Sequence, residues 1–275
     1  MTARFRYGLL VLPLLAFLLA AYLVPVALML SNTAGASFDF EPLRQVIASP
    51  VAMKVFLFTI RTAIWVTVIT LVLAYPLAFF IATARPLTAS LLMAVVLIPF
   101  WTSILIRSYA WMVLLGRKGV INEFLIWAGL LDQPLKLLNT SFAVYIGMVH
   151  VLLPFMILPI LASLKGIDGR LVAAAENLGA GPASVFRHII LPLSMPGLLA
   201  GTVLVFVLGL GFYITPALLG GPSDMTISML IAQEVDLYRW DAGAAMAALL
   251  LVMTLAALLL FGRFVSLDKI LGGAK

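Results

Sequence analysis

The sequence predicts an all-α, polytopic membrane protein built as a bundle of six transmembrane helices. Three observations carry this. Of 275 residues, 64% are hydrophobic and 10% charged, and mean hydropathy is +1.19. Soluble domains run near roughly 45–50% apolar and about 25% charged, so too little polar surface exists here to cover a water-soluble globule. Six apolar windows reach the length of about 20 residues that a helix needs to cross a bilayer. Each is uniformly apolar, whereas a membrane barrel would show alternation in segments of about ten residues.

The first window, 8–30, follows Arg4 and Arg6 and precedes Ala34-Gly35-Ala36, which imitates a signal-peptidase site. Its apolar core exceeds the roughly 7–15 residues of a signal peptide, so it is expected to be a retained anchor. The second, 62–84, begins after Arg61, a span-edge cation able to snorkel to the interface. The third, 87–115, is longer than a span requires and is expected to cross over only part of its length. After it, Ile121, Phe124, Leu125, Ala128 and Leu131 recur at helical spacing, with Asn122 and Glu123 off that face. That pattern fits a short interfacial helix outside the membrane or an ordinary loop. The fourth window is 141–163. The fifth, 196–219, is interrupted in its second half by Gly209, Gly211 and Pro216, and the sixth is 242–265. Irregular backbone at membrane depth is tolerated where protein buries it or a cavity solvates it, so the fifth window holds either a gate or a packed kink.

An even number of spans puts both termini on one side. Lysines and arginines divide nine to eight between the two sides, which decides nothing. Net charge is +6, but the basic residues are scattered between apolar runs, which excludes the dense basic face of a nucleic-acid binder. Cysteine is absent, which removes disulfide scaffolds, thiolate metal sites and thiol catalysis.

The polar segment 164–195 has internal design. Leu164, Ile167, Leu171, Ala174 or Ala175, and Leu178 fall on one helical face. Gly179 is placed to end that helix in a left-handed cap, and Pro182 suits the first position of a second helix. Val185, Phe186, Ile189 and Ile190 give the second helix its own apolar stripe, and Pro192 and Pro196 are expected to end it before the fifth span. Two such helices either rest on headgroups and the bundle or offer a face to a groove in a soluble partner.

These residues carry a resemblance. Ala173-Ala174-Ala175, Gly179, Ile189, Leu191 and Pro192 are spaced as in the EAA loop of permease subunits of binding-protein-dependent ABC importers, whose pattern is Glu-Ala-Ala, Gly, Ile, Leu-Pro. Ala173 stands where that family has Glu, and Glu176 lies one turn further on, which puts any ion pair of the family Glu in doubt. Pro99-Phe100-Trp101, the run from Ile106 through Arg107 to Trp111, Gly119-Val120-Ile121-Asn122 and the run from Tyr213 to Gly221 resemble spermidine/putrescine-type permeases. The resemblance implies a type I importer architecture in the bacterial inner membrane with both termini cytoplasmic. It implies a second permease, the same or different, two cytoplasmic ATP-binding subunits and an external solute-binding protein as partners. The helix ending at Gly179 would then be a coupling helix, with Ala173, Ala174, Ala175, Glu176, Gly179, Ala180, Ile189, Leu191 and Pro192 as the coupling residues. The substrate implied is a polyamine or related small organic solute.

Competing readings have less to stand on. A secondary carrier or channel would usually show an intramembrane acid or histidine relay. No acid lies in the six windows, and His150 alone reads as a packing residue. For an enzyme, His150 and His188 lack paired carboxylates or a nucleophile at recognisable spacing. The stretches 209–211 and 220–221 lack the Lys and Ser/Thr of a phosphate-binding loop, so this chain is not expected to bind ATP itself; no cofactor and no metal are expected, and the resemblance assigns ATP hydrolysis to a separate subunit. Phe100, Trp101, Tyr109, Trp111 and Tyr213 serve either as cation-π faces along a substrate route, at about 0.5–2 kcal/mol each, or as a lipid-interface belt. Arg107 is either pathway lining or interface anchor, and Pro216 marks the break of the fifth window.

Overall fold

The computed structural model describes residues 3–33 and 40–264, and among them every regular element is helical. In chain order these are α1 (Ala3–Thr33), α2 (Glu41–Ala48), α3 (Pro50–Thr83), α4 (Pro86–Leu97) with a 3-10 turn (Ile98–Trp101), α5 (Ile104–Leu115), α6 (Val120–Trp127), α7 (Ser141–Lys165), α8 (Gly169–Asn177), α9 (Pro182–Val185) with a π turn (Phe186–Ile190), α10 (Leu191–Leu210), α11 (Ile214–Leu219), α12 (Ile227–Asp236) and α13 (Trp240–Phe264). The cleavage-like Ala34-Gly35-Ala36, together with Asp39, Val265, Lys269 and Lys275, lies outside the described residues.

Among the described residues, five stretches are long and apolar enough to cross a membrane: Leu12–Thr33, α3, α7, Pro182–Leu210 and Trp240–Arg263. A sixth span arises if the bent pair Pro86–Trp101 and Ile104–Trp127 counts as one. The protein is thus a multi-span helical membrane protein, as its composition requires.

Several boundaries differ from the sequence windows. The second span begins at Pro50 rather than near 62, because Arg61 does not end the helix; its guanidinium lies over the Phe58 ring, 5.5 Å from the centroid. The third window does not continue straight: the chain turns by 102° between Trp101 and Ile104, where Pro99 lacks a donor and Ser103 N-caps α5 by accepting the Leu105 N–H. The fifth span is displaced, running as Pro182–Leu210 rather than 196–219. Pro192 and Pro196 do not end the second loop helix. Pro192 sits at the start of α10, just after the π turn, whose i→i−5 bond from Leu191 N–H to Phe186 O relieves the crowding a proline otherwise creates. The expected break after Gly209 is present, and α11 is a separate short helix.

Chain contacts define two units. One contains the described residues within Met1–Lys54 and Leu230–Val252. In it, Tyr238 takes positive φ (58°) between α12 and α13, and Arg239 clasps the nearly buried Glu234 through Nε–Oε2 at 2.7 Å and Nη2–Oε1 at 3.0 Å.

The other unit, the described residues within Val55–Met229 and Met253–Lys275, is built around α7. Its core joins Val144, Met148, Leu152, Met156 and Ile160 of α7 to Ala74, Ala78 and Ile81 of α3 and Val205 of α10. Lipid tails are as apolar as these side chains, so close packing rather than the hydrophobic effect holds such helices together. Glycines make the approach possible. A Cβ on Gly197 would overlap the Pro159 carbonyl oxygen and the Ser163 side chain of α7, and one on Gly201 would stand 2.9 Å from Met156 Sδ.

Candidate functional site

The polar segment folds as a capped helix followed by the start of the fifth span. Asp168 N-caps α8 by accepting the Arg170 N–H at 2.9 Å. At the other end Gly179 has φ +84°. Its N–H donates to Glu176 O at 2.9 Å, and the Ala180 N–H donates to Ala175 O at 3.0 Å. These two bonds are a Schellman motif, which uses glycine at the left-handed position to satisfy the last carbonyls of a helix. Gly181 then leads to Pro182 at the first position of α9, as the sequence predicts.

The expected single apolar face is split. Leu164 belongs to α7 and is buried, and Ile167 packs against the core. The helix starts only after the Asp168 cap, so its register differs from a continuous one. Within α8 no residue is buried. Val172 and Ala175 are half-covered, while Leu171 is 49% exposed and Leu178 89% exposed, with Ala174 between them. The stripe Leu171, Ala174 and Leu178 is uncovered within the described residues. Ala173 and Glu176 are also exposed, and Ala180, Ile189 and Leu191 are half-buried beside exposed Pro192.

The segment is tied to α3 below its cap. Phe186 of the π turn meets Tyr75 and Phe79 edge-on, with ring centroids 6.0 and 5.9 Å apart, and Tyr75 OH lies 2.9 Å from Ser194 Oγ.

At half-height along α7 a cavity of about 230 Å³ opens. Phe100, Phe155 and Phe212 supply aromatic faces, Ile104, Val151, Leu152 and Leu208 aliphatic ones, and Arg107 the charge. The Phe100 and Phe155 rings are tilted 5.2 Å apart. The Arg107 Nε is buried without a hydrogen-bond partner among the described residues. The structure therefore brings together Phe100 and Arg107 of the sequence candidates. Trp101, 89% exposed, and exposed Tyr109 and Tyr213 do not line the cavity. Trp111 donates from Nε1 to His150 Nδ1 at 3.2 Å, the packing role expected of that histidine. Pro216 is buried in α11, beside Thr215, whose Oγ1 lies 3.1 Å from Ser108 Oγ. Phe155 escaped the sequence reading because it sits in the uniformly apolar α7, where no pattern separates a cavity wall from a packed face; Phe212 lies in the break after Leu210 that the sequence did mark, where its neighbour Tyr213 was taken as the candidate instead.

Asn122 corrects a further expectation. It is 0% exposed rather than on the solvent side of α6. Its Nδ2 donates to Gly116 O and Leu135 O at 2.9 and 3.0 Å, and its Oδ1 accepts the Leu135 N–H at 2.9 Å. The polar group turns inward because the two flanking loops leave backbone groups that need partners.

No protein-family model matches the chain. Curated relatives do. The spermidine/putrescine transport system permease protein PotB of Escherichia coli (strain K12) is 38% identical over 215 residues, 78% of each chain. The protein of the same name from Haemophilus influenzae is 43% identical over 196 residues, 71% of this chain and 68% of that one. The inner membrane ABC transporter permease protein YdcU of E. coli K12 is 33% identical over 239 residues, 82% and 73%. Among solved structures, a bacterial alginate ABC transporter in complex with its alginate-bound periplasmic protein matches with TM-score 0.73 at 20% identity, covering 95% of this chain and 94% of that one. The MetNI methionine ABC transporter in inward-facing form matches with TM-score 0.60 at 16% identity, covering 78% and 97%. Both share the fold.

Proposed function

The chain belongs to the family of spermidine/putrescine-type ABC-transporter permease subunits, and from that membership we propose that it forms half of an importer's translocation pathway and couples it to a separate ATPase subunit. The observation that supports coupling is α8: a helix stiffly capped at Gly179 that leaves Leu171, Ala174 and Leu178 uncovered. An amphipathic helix of this kind binds by laying its stripe into a groove, with anchors at i, i+3 and i+7. Ala173, Ala174 and Ala175 keep the helix slim there, and Glu176, Gly179 and Ala180 set its end. Ile189, Leu191 and Pro192 carry the contact into the fifth span.

In this reading two ATP-binding subunits lie on the cytoplasmic side, where α8 and both termini also lie, and a second permease completes the pathway. An external binding protein delivers a polyamine or related small organic solute across the inner membrane. Phe100, Phe155 and Phe212 offer faces to an organic cation, with Trp101, Tyr109, Trp111, Tyr213 and Pro216 around the route.

Leu178→Asp tests the coupling assignment. At 89% exposure the side chain contributes little to folding, so the variant should insert normally. Co-purification of the ATPase subunit should fall at least about tenfold, the effect of losing one well-seated apolar anchor. Undiminished co-purification would remove the assignment.

A further inference from the structure

The cavity beside α7 poses an electrostatic problem for a route that carries organic cations. Arg107 is the one charged residue lining it among the described residues, and its buried Nε has no protein partner there. The side chain is only partly buried, yet one guanidinium nitrogen is closed off from every protein acceptor among the described residues, and an arginine within apolar segments is costly enough to suggest a function. Arginine stays protonated, so its charge cannot be shed. About 230 Å³ accommodates several waters at roughly 30 Å³ each, enough to hydrate the guanidinium in place.

If this cavity is part of the route, the water that the guanidinium draws in would also offer potassium, sodium and protons a path whenever the transporter idles. A fixed positive charge beside such a path excludes small cations and protons. We propose that Arg107 is the leak barrier of the resting pathway: its charge holds inorganic cations and protons out of the cavity between transport cycles. The assignment rests on the reading of this cavity as part of the route. Passage of substrate requires the charge to leave the axis, and the structure supplies a handle. Ser108, the next residue, is bonded to Thr215, so a displacement of α5 or α11 carries Arg107 with it.

The test uses the permease, its partner permease and the ATPase reconstituted in liposomes without ATP, with passive potassium and proton fluxes followed by entrapped dyes. Wild type should be tight. Arg107→Gln should raise both fluxes at least about tenfold, a lower bound for a unit charge a few ångströms from the permeating ion at an effective dielectric near 20. Arg107→Lys should stay tight. Arg107→Met, which keeps an apolar stem of similar length, repeats the Gln comparison should Gln insert poorly. Fluxes that stay at the wild-type level in Gln or Met, or that rise equally in Lys, would overturn the proposal. Stimulation of wild-type ATP hydrolysis by loaded binding protein is measured on the same liposomes. Its absence would count against the permease assignment itself, while normal stimulation with unchanged leak counts against the barrier alone.

Discussion

Gly179→Val separates a conformational requirement from a contact. A Cβ at Gly179 would meet nothing within 4 Å, so the substitution creates no clash with neighbours. The whole effect comes from φ +84°. A side chain in the left-handed region costs about 1–2 kcal/mol, and β-branching makes the position worse. The alternative is for the residue to move to negative φ, which breaks both capping bonds, each contributing about 0.5–1.5 kcal/mol. Because α8 has no buried residue, little else resists that change. The two terms are of similar size, so the capped form should lose about 5- to 30-fold in relative population. Membrane insertion and the thermal midpoint of the bundle should be unaffected. Co-purification of the ATPase, and stimulation of ATP hydrolysis by loaded binding protein, should both drop. Gly179→Asn should restore most of the loss, since Asn tolerates the left-handed region through local hydrogen bonds. Undiminished binding by the Val variant refutes the coupling assignment. An Asn variant as weak as Val shows instead that bulk at this position is what the partner rejects.

Three further outcomes are expected. Glu176→Cys, in a chain without native cysteine, should be labelled by an impermeant thiol reagent only from the cytoplasmic side; labelling from outside would invert the topology. Gly197→Val should lower the thermal midpoint in detergent by the equivalent of about 1–3 kcal/mol or more of overpacking against Pro159 and Ser163, while Gly211→Ala, which meets nothing within 4 Å, should leave it unchanged. Asn122→Leu removes three hydrogen bonds and leaves the Leu135 N–H unsatisfied, while the Gly116 and Leu135 carbonyls keep only the Gly119 and Leu137 N–H donors, so a loss of about 1–3 kcal/mol is expected in the same melt; an unchanged melt would show that water replaces the amide.

The spans were legible because a bilayer permits only internally satisfied backbone, which forces long uniform apolar runs. The glycine cap was legible for a similarly local reason: few residues other than glycine end a helix in the left-handed region, and Gly179 stands where the apolar spacing stops. What the sequence concealed depends on partners far along the chain. Proline rules taken alone end a helix at Pro192 or Pro196, yet packing of Gly197 and Gly201 against α7 keeps the rod intact through both. The π turn that accommodates Pro192 has no local signature in Phe186–Ile190. The cavity draws its walls from α5, α7 and α10 and from the segments flanking α5 and α11, so its membership follows from packing and not from any one segment.

The displaced boundary of the fifth span matters to mechanism. Because the helix runs unbroken from Pro182 to Leu210, one rod of about 40 Å at 1.5 Å per residue joins the end of the polar segment to the cavity wall at Leu208. A loop ending at Pro196 would have absorbed a push from a partner in its own soft dihedrals. A continuous helix transmits it, and at the π turn Phe186 bears on Tyr75 and Phe79 of α3. The compliant link that remains is the three residues from Gly179 to Gly181. On the proposed reading, the Schellman bonds are what make that link stiff, so coupling should be more sensitive to the backbone at Gly179 than to any single side chain of α8. Comparing the fall in stimulated ATP hydrolysis per bound ATPase for Gly179→Val and Leu178→Asp measures this directly. The glycine variant should lose stimulation even in the fraction that remains bound, whereas the leucine variant should lose binding and stimulation in proportion.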